Sequence, residues 1–161
     1  MSESPTRHRF VTDATLGKLA KHLRLAGFDT ILDTQVPRPD RLVFLADNQR
    51  TILTRSGKVQ RALPGLPLIL VRANDLPDQF RQVATTLGLG PGDLRPLTRC
   101  ALCNRELDSL PKMDALGKLP DYVWHQYGDF KTCPECRRIY WPGSHGQRWR
   151  DRIIPWFSET K

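Results

Sequence analysis

The amino-acid sequence predicts an α/β fold in which a parallel-sheet domain precedes a small C-terminal zinc ribbon. Residues 9–94 alternate short β-type runs with helical patterns, an arrangement typical of parallel strands joined by helices. Beyond this segment, all four cysteines fall into two Cys-x-x-Cys pairs, a spacing typical of zinc knuckles. We therefore expect the α/β domain at residues 8–92 and the ribbon at 96–152, with tails at 1–7 and 153–161.

The first helix of the α/β domain has a clear two-sided pattern. We predict a strand at residues 9–11 and then a helix from about Ala14 to Ala26, with Gly27 at its C-terminal cap. Apolar residues three and four apart predict the buried face of this helix: Leu16, Leu19, Ala20, Leu23 and Ala26. The opposite face has cations at helical spacing, which either contact phosphate or form a solvated surface: Lys18, Lys21 and Arg24.

The rest of the domain continues the alternation of strands and helices. Apolar runs predict three further strands, at residues 30–32, 51–54 and 68–71. Helical spacing predicts a short helix near 40–48 and a longer one at 76–87. A cluster of glycine and proline at residues 88–92 then ends the pattern, and we place the domain boundary there.

The cysteine pairs are Cys100/Cys103 and Cys133/Cys136, separated by 29 residues. Each pair lets a tight turn aim two sulfur atoms at one point, so two pairs supply the four corners of a tetrahedral Zn²⁺ site. Because neither knuckle leaves a ligand position open, we expect the zinc to be structural. The alternative, two disulfides, needs an oxidising compartment, and the N-terminal residues show no secretory signal.

The charge of the chain favours a polyanionic partner. The sequence has 25 Lys and Arg against 17 Asp and Glu, a formal net charge of +8. Such an excess is typical of proteins that bind nucleic acid, although a merely soluble basic surface would give the same count. The apolar runs are too short for a membrane span, so we expect no membrane partner and a cytoplasmic protein.

Carboxylates follow the predicted strands of the α/β domain. Asp13 follows the first strand and Asp33 the second, while Arg55 and Ser56 follow the third and Asp40 begins the next helix. Open parallel sheets bind ligands at the carboxyl ends of their strands. Converging carboxylates there would hold Mg²⁺ or Mn²⁺ for phosphodiester hydrolysis. The alternative is that Asp13 is a helix N-cap and that Asp33 and Asp40 are turn residues.

The ribbon interleaves cations with aromatic residues. Cations neutralise phosphates and aromatic faces stack on unpaired bases, a combination suited to single-stranded RNA. The alternative is that Tyr140 and Trp141 form the core of a small domain. We assign four ribbon residues as RNA contacts: Arg137, Arg138, Trp141 and His145.

Several segments resemble one known family over nearly the whole chain. RFVTDATLGKLAKHLRLAGFDT at residues 9–30 is similar to the opening of the Mut-seven C-terminal ribonuclease domain. The resemblance continues in RTILTR at 50–55, in both cysteine knuckles and in RIYWPGSH at 138–145. That family joins a PIN-like nuclease domain to a zinc ribbon.

The resemblance implies a divalent-metal-dependent ribonuclease with Asp13 as the first metal-binding carboxylate. We expect Asp40, with Asp33 as a further candidate, to complete a Mg²⁺ or Mn²⁺ site, and expect Lys18, Lys21, Arg24 and Arg55 to attract RNA, either single-stranded or structured. The family typically has Asp where this chain has Ser56. This departure motivates one alternative, an RNA-binding module with weakened catalysis. The other alternative is a zinc ribbon that binds proteins; the oligomeric state is not predicted.

Overall fold

A computed structural model describes residues 7–143 and 147–158. Four parallel strands form the main sheet, in the order β2-β1-β3-β4. They are β1 (Phe10–Thr12), β2 (Thr30–Leu32), β3 (Thr51–Thr54) and β4 (Leu68–Leu70). The predicted α/β fold with a parallel sheet is confirmed.

Four helices belong to the first part of the chain. A 3-10 turn at Ala14–Leu16 leads into α1, so the predicted first helix begins more tightly wound than expected. A short helix after β3 was not predicted, because it offers only one buried apolar residue, Val59. The helices are α1 (Gly17–Leu25), α2 (Pro39–Ala46), α3 (Gly57–Ala62) and α4 (Leu76–Leu87).

The sheet lies between two helical layers. Successive strand residues point to opposite faces of a sheet, and Phe10 and Val11 accordingly belong to different buried clusters. The Phe10 cluster contains α1 residues and Phe80 of α4. The Val11 cluster contains Leu42 of α2 and Val59 of α3. Helices therefore cover both faces and leave the strand ends as the open part of the domain.

The ribbon is a three-stranded antiparallel sheet with a short helix in the segment between the cysteine pairs. A small cluster around Val123 and Phe130 forms its own core, and Trp141 packs against that cluster. Tyr140 is buried beside the cysteines, as the core alternative predicted. The elements are β5 (Asp108–Leu110), α5 (Asp121–Gln126), β6 (Phe130–Thr132) and β7 (Ile139–Tyr140).

The chain returns to the α/β domain in a helix, α6 (Gln147–Ser158). Trp149 and Ile153 are buried in the same cluster as Phe10, and α6 packs against α4. The predicted tail at 153–161 is therefore wrong over residues 153–158, because these residues complete the apolar layer of the first domain. None of the helices in the described ranges is long and apolar enough to cross a membrane.

Candidate active site and metal centre

The carboxyl ends of β1 and β3 form the central part of the open edge. The chain runs from β1 to β2 on one side and then crosses back to β3 on the other, so the strand order reverses between β1 and β3. Ligands of open α/β sheets bind at such a switch point. Asp13 follows β1 and Thr54 ends β3, and Thr54 Oγ1 donates a hydrogen bond of 2.5 Å to Asp13 Oδ2. The predicted first carboxylate therefore lies at the switch point.

Asp13 is buried and held in place on both of its oxygens. Its side chain is the N-cap of the turn that begins α1, accepting from Thr15 N at 3.0 Å and from the Thr15 hydroxyl. Only 1 % of Asp13 is exposed. Because an ionised carboxylate has about four acceptor positions, these bonds orient Asp13 and leave acceptor capacity for a cation. The N-cap alternative is confirmed as one function of this residue.

Asp33 lies beside Asp13 at the end of the neighbouring strand. Thr12 and Leu32 are register partners, so the residues that follow them occupy equivalent positions at the sheet edge. Asp33 is 3 % exposed, and Arg41 Nε of α2 lies 2.9 Å from each of its carboxylate oxygens. The charge of Asp33 is therefore already balanced by a cation of this chain.

Asp40 is placed differently from the two buried carboxylates. Its side chain is 68 % exposed and accepts a hydrogen bond from Arg38 at 3.0 Å. Within residues 7–143 and 147–158, the only group of three or more His, Cys, Asp or Glu with ligand atoms within 4.8 Å of one another is the cysteine quartet. The three predicted carboxylates thus form no such group. Mg²⁺ is often held by one or two carboxylates plus waters and substrate phosphates, so a smaller donor set of Asp13 with Asp33 stays a prediction.

Ser56 and Arg55 lie next to this edge. Ser56 is the N-cap of α3, its Oγ accepting from Val59 N at 3.3 Å, and its own N–H donates to Thr54 Oγ1. Arg55 donates to the carbonyl of Ala73 and, at 3.0 Å, to Asn74 Oδ1. Ser56, at the position where the resemblance leads us to expect a carboxylate, thus caps α3 with its side chain and is linked to Asp13 only through its backbone N–H and Thr54.

The four cysteines form a site with the dimensions of a zinc centre. Their sulfur atoms all lie within 4.8 Å of one another, and Cys100 Sγ is 3.7 Å from Cys136 Sγ. A tetrahedron with Zn–S bonds of about 2.3 Å has edges of about 3.8 Å. The thiols are unpaired rather than joined as disulfides. The donor set therefore fits structural zinc.

The two knuckles repeat the same backbone turn. Asn104 N donates to Cys100 O and Arg137 N donates to Cys133 O, each at 3.0 Å. Both Asn104 and Arg137 have positive φ, 61° and 64°, which is the left-handed region. The repeated turn explains why the two Cys-x-x-Cys pairs present their sulfur atoms in equivalent ways.

Cys100 is the most acidic thiol for which a shift is resolved. Burial on its own raises the pKa of Cys100, but hydrogen bonds from the Tyr140 hydroxyl and from the N–H groups of Cys103 and Leu102 outweigh it and lower the pKa to about 7. The Tyr140 hydroxyl lies 3.2 Å from the sulfur. Metals bind the thiolate form of cysteine, which is the form that the Tyr140 bond favours at Cys100.

The first knuckle is attached to the α/β domain through two polar side chains. Arg24 of α1 donates to the carbonyls of Ala101 and Leu102 at 3.1 and 2.9 Å, and also to Thr30 O. It is only 9 % exposed, which corrects its predicted place among the phosphate contacts. Its burial depends on residues 77 positions away, so the helical pattern alone could not reveal it.

Asn104 supplies the second attachment. Its side chain donates to Asp29 Oδ1 at 2.7 Å and accepts from Thr30 N at 2.9 Å. Asp29 also pairs with Arg50 at 2.7 Å. Burial alone would raise the pKa of Asp29, but the bonds from Arg50 and Asn104 outweigh it and lower that pKa. The attachment through Asn104 and Asp29 was not predicted from the sequence, and its one local signal is the Asn that directly follows Cys103.

Three of the predicted RNA contacts come together in one cavity of about 570 Å³, which we call the basic groove. Lys21 of α1, Arg138 and Trp141 all line it. Lys18 and Arg137 are exposed but do not line the groove. His145, also predicted as an RNA contact, lies outside the described residues.

Comparison with known proteins gives one family match. A family model described as Mut7-C RNAse domain matches residues 8–153, nearly the whole chain. No curated protein matches the chain.

Proposed function

The chain belongs to the Mut7-C RNase domain family, and from that premise we propose that it cleaves RNA phosphodiester bonds with Mg²⁺ or Mn²⁺ as cofactor. The observation that supports the cofactor is the position of Asp13, buried at the switch point of the sheet and oriented by two hydroxyl groups. Asp33 at the adjacent strand end is the second carboxylate of the proposed site. Asp40, exposed and paired with Arg38, contributes negative charge at the rim.

Each residue of the edge has a separate part in this proposal. Asp13 and Asp33 would hold the ion, which when bound supplies Lewis-acid polarisation of a phosphate and a water of lowered pKa. Thr15 and Thr54 keep the Asp13 carboxylate in one orientation. Lys18, exposed on the helix that Asp13 begins, and Arg55 would attract the RNA backbone, because cations near the edge raise the local concentration of phosphate.

The zinc ribbon supports this site from a distance. The first knuckle accepts bonds from Arg24 of α1, and its Asn104 accepts from Thr30 N of β2, so the ribbon is held against α1 and β2. We propose that zinc has this structural part only. A catalytic zinc keeps an open ligand position, whereas four cysteine sulfurs occupy all corners of a tetrahedron.

Metal-dependent RNA cleavage by the purified, zinc-loaded chain tests the proposal. We expect single-stranded RNA to be cut when Mn²⁺ or Mg²⁺ is present and to stay intact when neither is added. Cleavage at full rate without an added divalent ion would contradict the cofactor assignment. Analysis of the product ends on an internally labelled RNA would also show whether cutting begins inside the strand or at an end.

A second function, RNA binding without turnover, is favoured by a specific observation. Arg41 already contacts both oxygens of Asp33, and Ser56 stands where the resemblance leads us to expect a carboxylate. A weakened acidic site would leave the basic surface intact. RNA affinity that is unchanged by EDTA in zinc-loaded protein, together with no cleavage under any divalent ion, would select this second function.

A further inference from the structure

The basic groove lies between the α/β domain and the ribbon. Its walls are the C-terminal half of α1, the first knuckle, the β7 segment and α6. Since α6 was predicted as part ribbon and part tail, the groove could not be foreseen from the sequence. Its volume, about 570 Å³, is within the range of about 300–1,000 Å³ that small-molecule and cofactor sites occupy.

The described residues that line the groove include four cations and no carboxylate. The four cations are Lys21, Arg138, Arg148 and Arg152. Burial lowers the pKa of His22 in the same wall, and the nearby charges of Arg152 and Lys21 lower it further. A cavity with this lining selects an anion, and guanidinium groups are well suited to phosphate.

The groove also has aromatic and hydrogen-bonding groups. Trp141 and His22 line it, and both are partly exposed. Trp149, also in the wall, is 4 % exposed, and its indole N–H has no hydrogen-bond partner among the described residues.

We propose that the basic groove binds an unpaired segment of the RNA strand, with its phosphates at the cations and a base against Trp141. Stacking on aromatic faces needs splayed bases, which duplexes do not offer. This proposal rests on the proposed function for its connection to catalysis. The substrate class it names is RNA with a single-stranded extension beyond the bond that is cut.

The helix α1 relates the groove to the acidic edge. Asp13 begins the helical segment, Lys18 follows, and Lys21 lies one turn further on, in the groove. Lys21 lies eight positions after Asp13 along the helical segment, which corresponds to about 12–14 Å. An RNA strand that contacts both places must therefore extend several nucleotides past the scissile phosphate, and shorter RNAs reach only one of the two.

RNA binding by Asp13→Asn protein, in which cutting is suppressed, tests the groove. The probes are oligo-uridine of about 12 nucleotides, within the site sizes of single-strand binders, and a uridine dinucleotide. In that background we expect Arg152→Gln or Arg148→Gln to weaken binding of the long RNA several-fold. Each change should also flatten the salt dependence of log affinity by about 0.7, the contribution of one phosphate contact on a single strand.

Two comparisons separate the effect of groove contacts on RNA affinity from the effect of the overall charge of the protein. Arg150→Gln removes the same charge from the same helix, at an exposed position outside the groove lining, and should change binding little. Trp141→Ala should weaken binding of the long RNA on the order of tenfold, whereas Trp141→Phe should retain most of the affinity because a ring still stacks. The uridine dinucleotide should bind much more weakly than the long RNA in every variant, because it cannot contact all the groove cations at once.

The outcomes distinguish the groove from the nuclease. Wild-type cleavage with unchanged RNA affinity in the Arg148, Arg152 and Trp141 variants would overturn the groove and leave the proposed function standing. Weakened RNA affinity in those variants, together with no cleavage by wild-type protein, would support the groove and overturn the proposed function. If a duplex of the same length bound with equal affinity, and its binding depended on the same residues, the single-stranded assignment would be overturned. The absence of any RNA binding would overturn it as well.

Discussion

Arg41 contacts Asp33 through a single nitrogen, Nε, placed 2.9 Å from both carboxylate oxygens. The pair is asymmetric in exposure, since the Asp33 side chain is 1 % exposed and that of Arg41 is 38 % exposed. A divalent ion at Asp13 and Asp33 would share Asp33 with this guanidinium. Arg41 is therefore a competitor for the proposed ion and a counter-charge for Asp33 when no ion is bound.

Replacement of Arg41 by Gln should strengthen metal binding at the acidic edge. Without Mn²⁺, the variant should lose about 1–3 kcal/mol of unfolding free energy, because a buried carboxylate loses its partner on a half-exposed cation. Added Mn²⁺ should raise its Tm more than it raises that of the wild type. Thermal unfolding with and without Mn²⁺ in zinc-loaded protein measures both effects.

Arg38→Gln is the matched control for Arg41, because Arg38 pairs with the exposed Asp40 one turn away. We expect it to change neither the Tm nor its response to Mn²⁺ appreciably. An Arg41→Gln protein whose response to Mn²⁺ equals that of Arg38→Gln would show that Arg41 and the ion do not compete.

Replacement of Ser56 by Asp should increase Mn²⁺ affinity and the rate of RNA cleavage. Asp is as good an N-cap as Ser, so α3 should be retained while a third carboxylate is added near Asp13. Ser56→Asn provides the same cap without charge. Calorimetric Mn²⁺ titration of the three proteins is the measurement, and equal affinity in the Asp and Asn variants would refute a part for this position in metal binding.

Glycine substitutions at the equivalent turn positions of the two knuckles, Asn104 and Arg137, should differ in their effect on stability, because Asn104 attaches the first knuckle to the α/β domain. Asn104→Gly keeps the positive φ, which glycine accepts, but removes the bonds to Asp29 and Thr30. We expect a loss of about 1–3 kcal/mol in unfolding free energy. Arg137→Gly makes the same change in the second knuckle, where the side chain is exposed, and should cost little.

Denaturant unfolding of zinc-loaded protein, with the zinc content of each variant measured, tests this difference. Both variants should retain zinc, because the cysteines and the knuckle backbone are unchanged. Equal destabilisation by the two glycine substitutions would argue that the ribbon is not anchored through Asn104.

The ring of His22 should titrate below its ordinary pKa of 6.5. Burial is the main cause, and the nearby charges of Arg152 and Lys21 add to it, against a raising effect of the bond to the Lys18 carbonyl. Since the folded-state pKa is below the unfolded one, His22 contributes stability that is fully present above pH 6.5 and is lost as the pH falls below that value. A ¹H NMR titration, with His22→Gln protein to assign the signal, should give a midpoint below 6.5; a midpoint at or above 6.5 would contradict the burial of the ring.

The sequence predicted those features that depend on local pattern. Each strand of the main sheet was found within one residue at either end, because a parallel strand buried on both faces is a short, continuous apolar run. The helix 76–87 was found with its bounds, and the cysteine spacing led directly to the metal centre. The positions of Asp13 and Asp33 at the sheet edge could be predicted because each follows a strand whose end could be read from the sequence; their part in metal binding stays a prediction.

The features that were missed depend on contacts between distant residues. The segment that forms α6 was divided between the ribbon and the tail, although Trp149, Ile153 and Trp156 have helical spacing, because its apolar side chains pack on a core formed by distant residues. Arg24 has the same spacing as Lys18 and Lys21, and only the position of the knuckle shows that it is buried. Asp40 was grouped with Asp13 and Asp33 because a sequence shows where carboxylates occur along the chain but not which way their side chains point in the fold.

The most direct test of the central claim, that Asp13 holds the ion that cuts RNA, is the cleavage rate of Asp13→Asn protein in Mn²⁺. Asparagine keeps one acceptor for Thr15 and the size of the side chain, so the fold and RNA binding should survive. We predict a rate on the order of 100-fold or more below wild type, since loss of the metal removes several kcal/mol of transition-state stabilisation, and a much smaller loss in Asp40→Asn. Wild-type cleavage by a folded, RNA-binding Asp13→Asn protein would contradict the account.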